Sequence, residues 1–117
     1  MSGKSLELRK FVAPEFIYGT GALSLTGRYA QNLGARKALV VTDPGVIENG
    51  WTDKVCESLR KEGISTTVFS EITPNPKDYE VEAGCKVYDK NRCDIIVAIG
   101  GGSPIDCAKG IGIAHAN

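Results

Sequence analysis

The chain has 117 residues, with 14 lysines and arginines balanced by 14 aspartates and glutamates, and 42% of its residues are hydrophobic. This balance creates no overall field that would attract nucleic acid or an anionic membrane surface. No apolar run approaches the roughly 20 residues that cross a bilayer, and the first ten residues lack the apolar centre of a signal peptide. We therefore expect a cytoplasmic, globular chain that binds neither nucleic acid nor membrane.

The first predicted elements are extended. Residues 6–12 alternate loosely between apolar and polar side chains, and residues 16–18 form a second short extended piece that ends at Gly-Thr-Gly. An N-terminal arm of this kind has unpaired strand edges, which invite pairing with another chain. We therefore expect a homodimer that forms through the N-terminal strand.

Helical and strand-like patterns then alternate along the chain. Helices are predicted over residues 22–33, 51–62, 78–91 and 104–115. Strands are predicted over residues 37–42, 65–69 and 94–99, and a rigid proline-rich loop over residues 72–76. This alternation implies right-handed crossovers and a Rossmann-like α/β fold, a doubly wound, mainly parallel sheet with helices on both faces. A six-stranded dinucleotide domain needs more chain than this, so we expect residues 1–117 to form a truncated domain.

The cysteines and the single histidine give little sign of a metal site. Cys56, Cys85, Cys93 and Cys107 form no Cys-x-x-Cys pair, and His115 is the only histidine. This pattern disfavours a zinc site. We expect buried, reduced thiols and a histidine that merely lies near the end of a helix.

The most informative stretch is residues 94–108, DIIVAIGGGSPIDCA. An apolar, mostly β-branched run leads into three glycines, and Ser103 and Pro104 then suit the cap and first turn of a helix. Asp106 follows this cap at the third position, as an acidic residue in a capping box does. Glycines let backbone N–H groups approach a ligand, and the helix dipole favours an anion. The stretch therefore predicts a phosphate or pyrophosphate site, with a tight turn that needs glycine for its geometry alone as the alternative.

Two other polar residues follow predicted strands, where ligands bind in open α/β sheets. Asp43 could accept hydrogen bonds from both hydroxyls of an adenosine ribose and repel a 2′-phosphate, which predicts NAD in preference to NADP. Its alternative role is an N-cap or turn aspartate in Asp-Pro-Gly. Asn75 could bond adenine or ribose, although Asn-Pro is also common in turns. Because Asp43 precedes the glycines instead of following them by about 20 residues, any dinucleotide site must use another strand order.

Four motifs occur in an order that resembles the iron-containing (group III) alcohol dehydrogenase family. They are FIYGTGA at residues 16–22, ALVVTD at 38–43, TPNP at 73–76 and GGGSPIDCAK at 100–109. The last is close to the family signature GGGSxxDxAK and is the most specific of the four. The match extends over nearly the whole chain.

The resemblance implies an N-terminal Rossmann-like NAD-binding domain and a C-terminal helical domain. The helical domain would hold Fe²⁺, or zinc in some relatives, through one aspartate and three histidines. The implied reaction is hydride transfer between a primary alcohol or aldehyde and NAD. By position, the implied cofactor-binding residues are Asp43, Asn75, Gly100, Gly101, Gly102, Ser103, Pro104 and Asp106, with Asp106 near the nicotinamide. One histidine cannot supply three ligands, so we expect the chain to be the inactive N-terminal cofactor domain of an NAD-dependent dehydrogenase.

Three other functions are compatible with parts of this pattern. The glycine loop also resembles the Gly-Gly-x-Gly-Ser loops of ATP-dependent sugar and lipid kinases, but it lacks their magnesium-binding aspartate. A zinc-dependent polyol dehydrogenase of the same superfamily would share the N-terminal motifs. A non-enzymatic α/β interaction module would bind no nucleotide, and in that case Asp43→Ala and Ser103→Ala would affect stability alone.

Overall fold

The structure, a computed structural model, describes residues 15–17, 20–73, 77–100 and 102–116. Its four strands are β1 (Glu15–Ile17), β2 (Lys37–Val41), β3 (Ser65–Phe69) and β4 (Ile95–Ile99). Its five helices are α1 (Thr20–Asn32), α2 (Pro44–Glu48), α3 (Trp51–Lys61), α4 (Asp78–Lys90) and α5 (Gly102–Ala116). No helix in these described ranges is both long and apolar enough to cross a bilayer.

The four described strands form one parallel sheet in the order β1-β4-β2-β3. At its carboxyl edge, Val41 is paired with Ala98 on one side and with Phe69 on the other. The chain leaves β2 toward β3 on one side, whereas β4 lies on the other side of β2. The boundary between β2 and β4 is therefore a topological switch point, the place where open α/β sheets bind ligands.

Helices cover both faces of the sheet, as predicted. Residues of α1 and α3 pack on one face with alternate residues of β2 and β4, a cluster that includes Ala30, Val55, Leu59, Ala38, Val40, Val97 and Ile99. Residues of α4 and α5 pack on the other, in a cluster that includes Tyr88, Cys107, Ala108, Ile111, Leu39, Val41 and Ile96. Burial on both faces explains why the central strands are continuous apolar runs.

Helices α1 and α3 make an unusually close approach at Gly27. A Cβ atom at this position would lie 2.0 Å from the carbonyl oxygen of Ser58. The Gly27 N–H instead donates a hydrogen bond of 2.8 Å to Ser58 Oγ. Glycine is therefore required here by the packing of the two helices, which sets how closely α3 and the loop before it lie on the sheet.

Most predicted elements are confirmed within one or two residues, and three predictions need comment. The sequence pattern gave no helix between β2 and α3, yet Pro44–Glu48 forms α2. Helix α5 begins at Gly102, so the prediction that Ser103 caps it is wrong, and Asp106 lies in the second turn rather than at the third position after a cap. The physical reason is that the third glycine already has helical geometry, which shortens the loop by one residue. The strand predicted over residues 6–12 lies outside the described residues.

Candidate functional site

Asp43 and Gly100 follow the two adjacent strands at the switch point and lie against each other. Asp43 comes after β2 and caps α2, where its Oδ1 accepts a hydrogen bond of 3.0 Å from the backbone N–H of Val46. Its Oδ2 lies 3.4 Å from the position that a Cβ atom on Gly100 would occupy. Both roles that the sequence suggests for Asp43 are thus compatible, because one oxygen caps a helix while the other faces the glycine loop.

Gly100 is required by the geometry of this turn. Its φ is +127°, a backbone conformation that residues with a Cβ atom rarely adopt. A Cβ atom here would also lie 3.1 Å from Val46 Cγ2 and 3.2 Å from Pro104 Cγ. The chain therefore leaves β4 through a sharp turn that keeps the start of α5 close to the cap of α2. Gly101, the next residue of the predicted site, lies outside the described residues.

The first turn of α5 is open toward solvent at Gly102. Gly102 is exposed, and a Cβ atom built on it would meet nothing within 4 Å. Ser103 is partly buried, Pro104 is fully buried and Asp106 is exposed. The N–H groups in the first turn of a helix have no partner within the helix, and a helix of 15 residues adds its dipole. The open side at Gly102 therefore offers room and donors for an anion.

The buried residue before Asp43, Thr42, helps to fix the position of Asp43. Thr42 is fully buried, and its backbone N–H donates a hydrogen bond of 3.0 Å to the carbonyl oxygen of Phe69. This bond ties the end of β2 to the end of β3. The hydroxyl of Thr52, at the start of α3, lies 3.5 Å from that of Thr42. The backbone hydrogen bond of Thr42 therefore helps to hold Asp43 at the carboxyl edge of the sheet.

The carboxylate of Glu80, a residue outside the four sequence motifs, accepts hydrogen bonds from Thr73 and Lys77. Asn75 lies outside the described residues, but Thr73 and Lys77 on either side of it are described. Glu80 is only 3% exposed, and it accepts hydrogen bonds from Thr73 N (2.8 Å), Thr73 Oγ1 (2.7 Å) and Lys77 N (3.3 Å). These hydrogen bonds, chiefly those from Thr73, lower the pKa of Glu80 below its ordinary value. The sequence signal was an acidic residue at the third position of α4.

The four cysteines form no disulfide bond. Cys56, Cys93 and Cys107 are buried, as predicted, whereas Cys85 is only partly buried. Burial raises the pKa of both Cys93 and Cys107 to about 11, so both stay protonated at neutral pH. The described part of the chain contains no group of three or more potential metal ligands.

Comparisons with known proteins match the chain to one family. Residues 13–117 match the sequence profile of the family described as iron-containing alcohol dehydrogenase. The chain is 50% identical over 99 residues to 1,3-propanediol dehydrogenase from Citrobacter freundii, covering 83% of the chain and 26% of that enzyme. It is 37% identical over 107 residues to the NAD-dependent methanol dehydrogenase of Bacillus methanolicus, covering 92% of the chain and 28% of that enzyme.

A solved structure of 1,3-propanediol oxidoreductase has the same fold over the described elements. The TM-score is 0.81 at 46% sequence identity, and the match covers 90% of this chain and 28% of that one. The chain thus spans about a quarter of the length of the relatives that it matches. With the profile match over residues 13–117, these similarities establish that the chain belongs to the iron-containing alcohol dehydrogenase family.

Proposed function

We propose that this chain is the NAD-binding domain, over residues 1–117, of a metal-dependent alcohol dehydrogenase. The observation that carries the proposal is the proximity of two residues at the switch point, where Asp43 Oδ2 lies near Gly100 beside the open first turn of α5. This juxtaposition puts a carboxylate and an anion-binding helix end side by side. A dinucleotide carries the complementary groups, ribose hydroxyls and a pyrophosphate.

Asp43 is the residue that would select the adenosine half of the cofactor. A carboxylate accepts two ribose hydroxyl hydrogen bonds, since each oxygen has two lone pairs and only Oδ1 is used in capping. The same charge would repel a 2′-phosphate, so NAD is preferred to NADP. Asn75 would contact the adenosine from the neighbouring loop.

The glycine loop and α5 would hold the rest of the cofactor. Gly100, Gly101, Gly102 and Ser103 would surround the pyrophosphate. Pro104, whose ring is buried against Gly100, would keep this loop in shape rather than contact the ligand through an exposed surface. The exposed Asp106, one turn further along, would lie toward the nicotinamide.

The reaction would be hydride transfer between NAD and a primary alcohol or its aldehyde. The names of the relatives, propanediol and methanol dehydrogenases, support small alcohols as the substrate class. Iron, when bound, polarises the alcohol oxygen. The described residues hold no fitting ligand cluster, and the chain contains a single histidine. We place the metal ligands in the part of the relatives' length that this chain does not span, so the chain alone would be inactive.

A homodimer formed through the N-terminal strand and a cytoplasmic location belong to the same proposal. The predicted strand over residues 6–12 lies outside the described residues, so the dimer rests on the sequence pattern. Analytical ultracentrifugation of the chain with and without its first 14 residues would test it. A dimer that persists without these residues would contradict a role for this strand.

Isothermal titration of the chain with NAD, NADP and magnesium ATP tests the proposed function. We expect NAD to bind, NADP to bind more weakly, and ATP to give no magnesium-dependent signal. Asp43→Ala and Ser103→Ala should each weaken NAD binding while the chain stays folded. Binding of ATP only with magnesium would support the kinase alternative instead, and the absence of binding to all three would contradict a nucleotide site.

A further inference from the structure

We propose that Val46 is a positioning residue, one that sets the distance between the Asp43 carboxylate and the glycine loop that starts at Gly100. This inference rests on the proposed function, because it assigns a role in the binding of the same dinucleotide. Val46 belongs to none of the four sequence motifs. Its backbone bonds to one half of the candidate site, and its side chain lies against the other half.

The backbone of α2 holds Asp43 at two points. The Val46 N–H donates a hydrogen bond of 3.0 Å to Asp43 Oδ1. The N–H of the next residue, Ile47, donates one of 3.1 Å to the Asp43 carbonyl oxygen. Both the carboxylate and the backbone of Asp43 are thus fixed to this helix. The position of the carboxylate therefore follows the position of α2.

Helix α2 is anchored by a single buried side chain. Among its residues, Pro44–Glu48, only Val46 is buried, with 7% of its surface exposed. Val46 belongs to the apolar cluster that also contains Val55 of α3 and Ile99 at the end of β4. A helix of five residues is too short to be stable by itself. The packing of Val46 therefore decides where α2 lies, and with it Asp43.

The side chain of Val46 also lies against the turn that leaves β4. Its Cγ2 is 3.1 Å from the position that a Cβ atom on Gly100 would occupy. The same position is 3.2 Å from Pro104 Cγ and 3.4 Å from Asp43 Oδ2. A β-branched side chain in a helix has one strongly preferred χ1 rotamer. Val46 is therefore a stiff spacer between the helix that carries Asp43 and the glycine loop.

This spacing matters for a ligand that uses both halves of the site. A dinucleotide joins its ribose hydroxyls and its pyrophosphate covalently, so it must meet the Asp43 carboxylate and the first turn of α5 at the same time. Binding is tighter when a site already has the required geometry, because less freedom is lost on association. The spacing that Val46 sets therefore raises affinity for NAD and not for pyrophosphate alone.

Truncation of Val46 tests this role. Val46→Ala removes both branches, so α2 and Asp43 are no longer held at a fixed distance from Gly100. We expect NAD affinity, measured by calorimetry, to fall by about tenfold, the size that follows when the backbone of one residue must be ordered on binding. Affinity for inorganic pyrophosphate should stay within about twofold of the wild type, because the first turn of α5 is unchanged.

Val55→Ala is the matched control. It makes the same truncation in the same apolar cluster, at a fully buried residue of α3. This variant should lower the melting temperature and leave the affinity for NAD unchanged. If Val46→Ala weakens NAD binding no more than Val55→Ala does, Val46 is only structural and the inference is wrong. Equal losses of NAD and pyrophosphate affinity in Val46→Ala would also overturn it.

Two further substitutions separate the shape of the side chain from its contribution to stability, and they give the decision if Val46→Ala does not fold. Val46→Thr keeps the β-branch but buries a hydroxyl, so we expect lower stability and nearly wild-type NAD affinity. Val46→Met stays apolar but has no branch at Cβ and is flexible, so we expect weaker NAD binding. Equal affinities in the two variants, or tighter binding by the methionine variant, would overturn the inference. Wild-type chain that fails to bind NAD would instead contradict the proposed function itself.

Discussion

The two ends of strands β2 and β4 use an aspartate in opposite ways. At the amino edge, Asp94 precedes β4 and bonds to the backbone that enters β2, accepting hydrogen bonds of 3.0 to 3.1 Å from Arg36 N and Lys37 N. The Asp94 N–H in turn donates to the Lys37 carbonyl oxygen at 2.8 Å. At the carboxyl edge, Asp43 follows β2 and lies against Gly100, the residue that leaves β4.

The two aspartates differ in whether a carboxylate oxygen remains able to bind a ligand. Both oxygens of Asp94 are bonded to the chain's own backbone, so this end of the strand pair is closed. Only Oδ1 of Asp43 has a described backbone donor, and Oδ2 faces a glycine loop beside an open helix end. Hydrogen bonds within the chain therefore occupy the carboxylate of Asp94 at the amino end of this strand pair. At the carboxyl end, Asp43 can still accept hydrogen bonds from a ligand.

The largest effect is expected from Gly100→Ala. The positive φ strains any residue with a Cβ atom, and the added methyl would press on Val46 and Pro104. We expect a loss of about 3 kcal/mol in the free energy of unfolding, measured by urea denaturation. Gly102→Ala is the matched control, because its Cβ meets nothing within 4 Å, and it should change stability by less than about 1 kcal/mol. Equal losses in the two variants would refute the role of Gly100.

Asp94→Ala should lower the stability of the chain, because it disrupts the amino end of the β2–β4 pair, and leave the carboxyl end unchanged. The substitution leaves the backbone N–H groups of Arg36 and Lys37 without their acceptor, which we expect to cost about 2 kcal/mol of stability. NAD affinity, measured by calorimetry well below the melting temperature, should match that of the wild type. A weaker NAD complex in this variant would mean that the two ends are coupled.

Asp43→Asn should change cofactor binding at the carboxyl end of the β2–β4 pair and leave stability almost unchanged. Asparagine caps helices about as well as aspartate, so we expect stability to change by no more than about 0.5 kcal/mol. Removing the charge should reduce the preference for NAD over NADP by about tenfold, since repulsion of the 2′-phosphate disappears. The control is Asp53→Asn in the first turn of α3, which removes an equal charge at an exposed position. A preference that changes equally in both variants would assign the effect to net charge.

The smallest effect is a pH dependence that comes from Glu80. Its pKa is lowered in the folded state by the hydrogen bonds from Thr73, so the ionised form stabilises the fold. This contribution is fully present above the unfolded-state pKa of about 4.3 and is lost as the pH falls through the lower folded-state value. The stability difference between wild type and Glu80→Gln should therefore be constant near neutral pH and shrink below about pH 4. A difference that grows in acid would contradict this assignment.

The fold could be predicted because strands buried on two faces are continuous apolar runs, which are readily recognised in a sequence. Strand β3 has the predicted bounds, Ser65–Phe69, and β4 begins one residue after the predicted start. The short helix α2 was missed because five residues are too few for a helical repeat. Its local signal, a proline directly after a capping aspartate, is the usual start of a helix.

The site could be predicted only in part. Motif positions placed Asp43 and Gly100 each after a predicted strand, and the structure shows that these two strands are neighbours, which brings the two residues close together. The contacts of Glu80 could not be foreseen, because Thr73 precedes it by seven residues and lies outside α4.

A crystal structure of the protein with NAD tests the central claim most directly. We expect both adenosine ribose hydroxyls to lie within roughly 3 Å of the Asp43 carboxylate and the pyrophosphate to lie at the first turn of α5. Density for NAD at any other edge or face of the sheet, with Asp43 making no contact to the ribose, would contradict it.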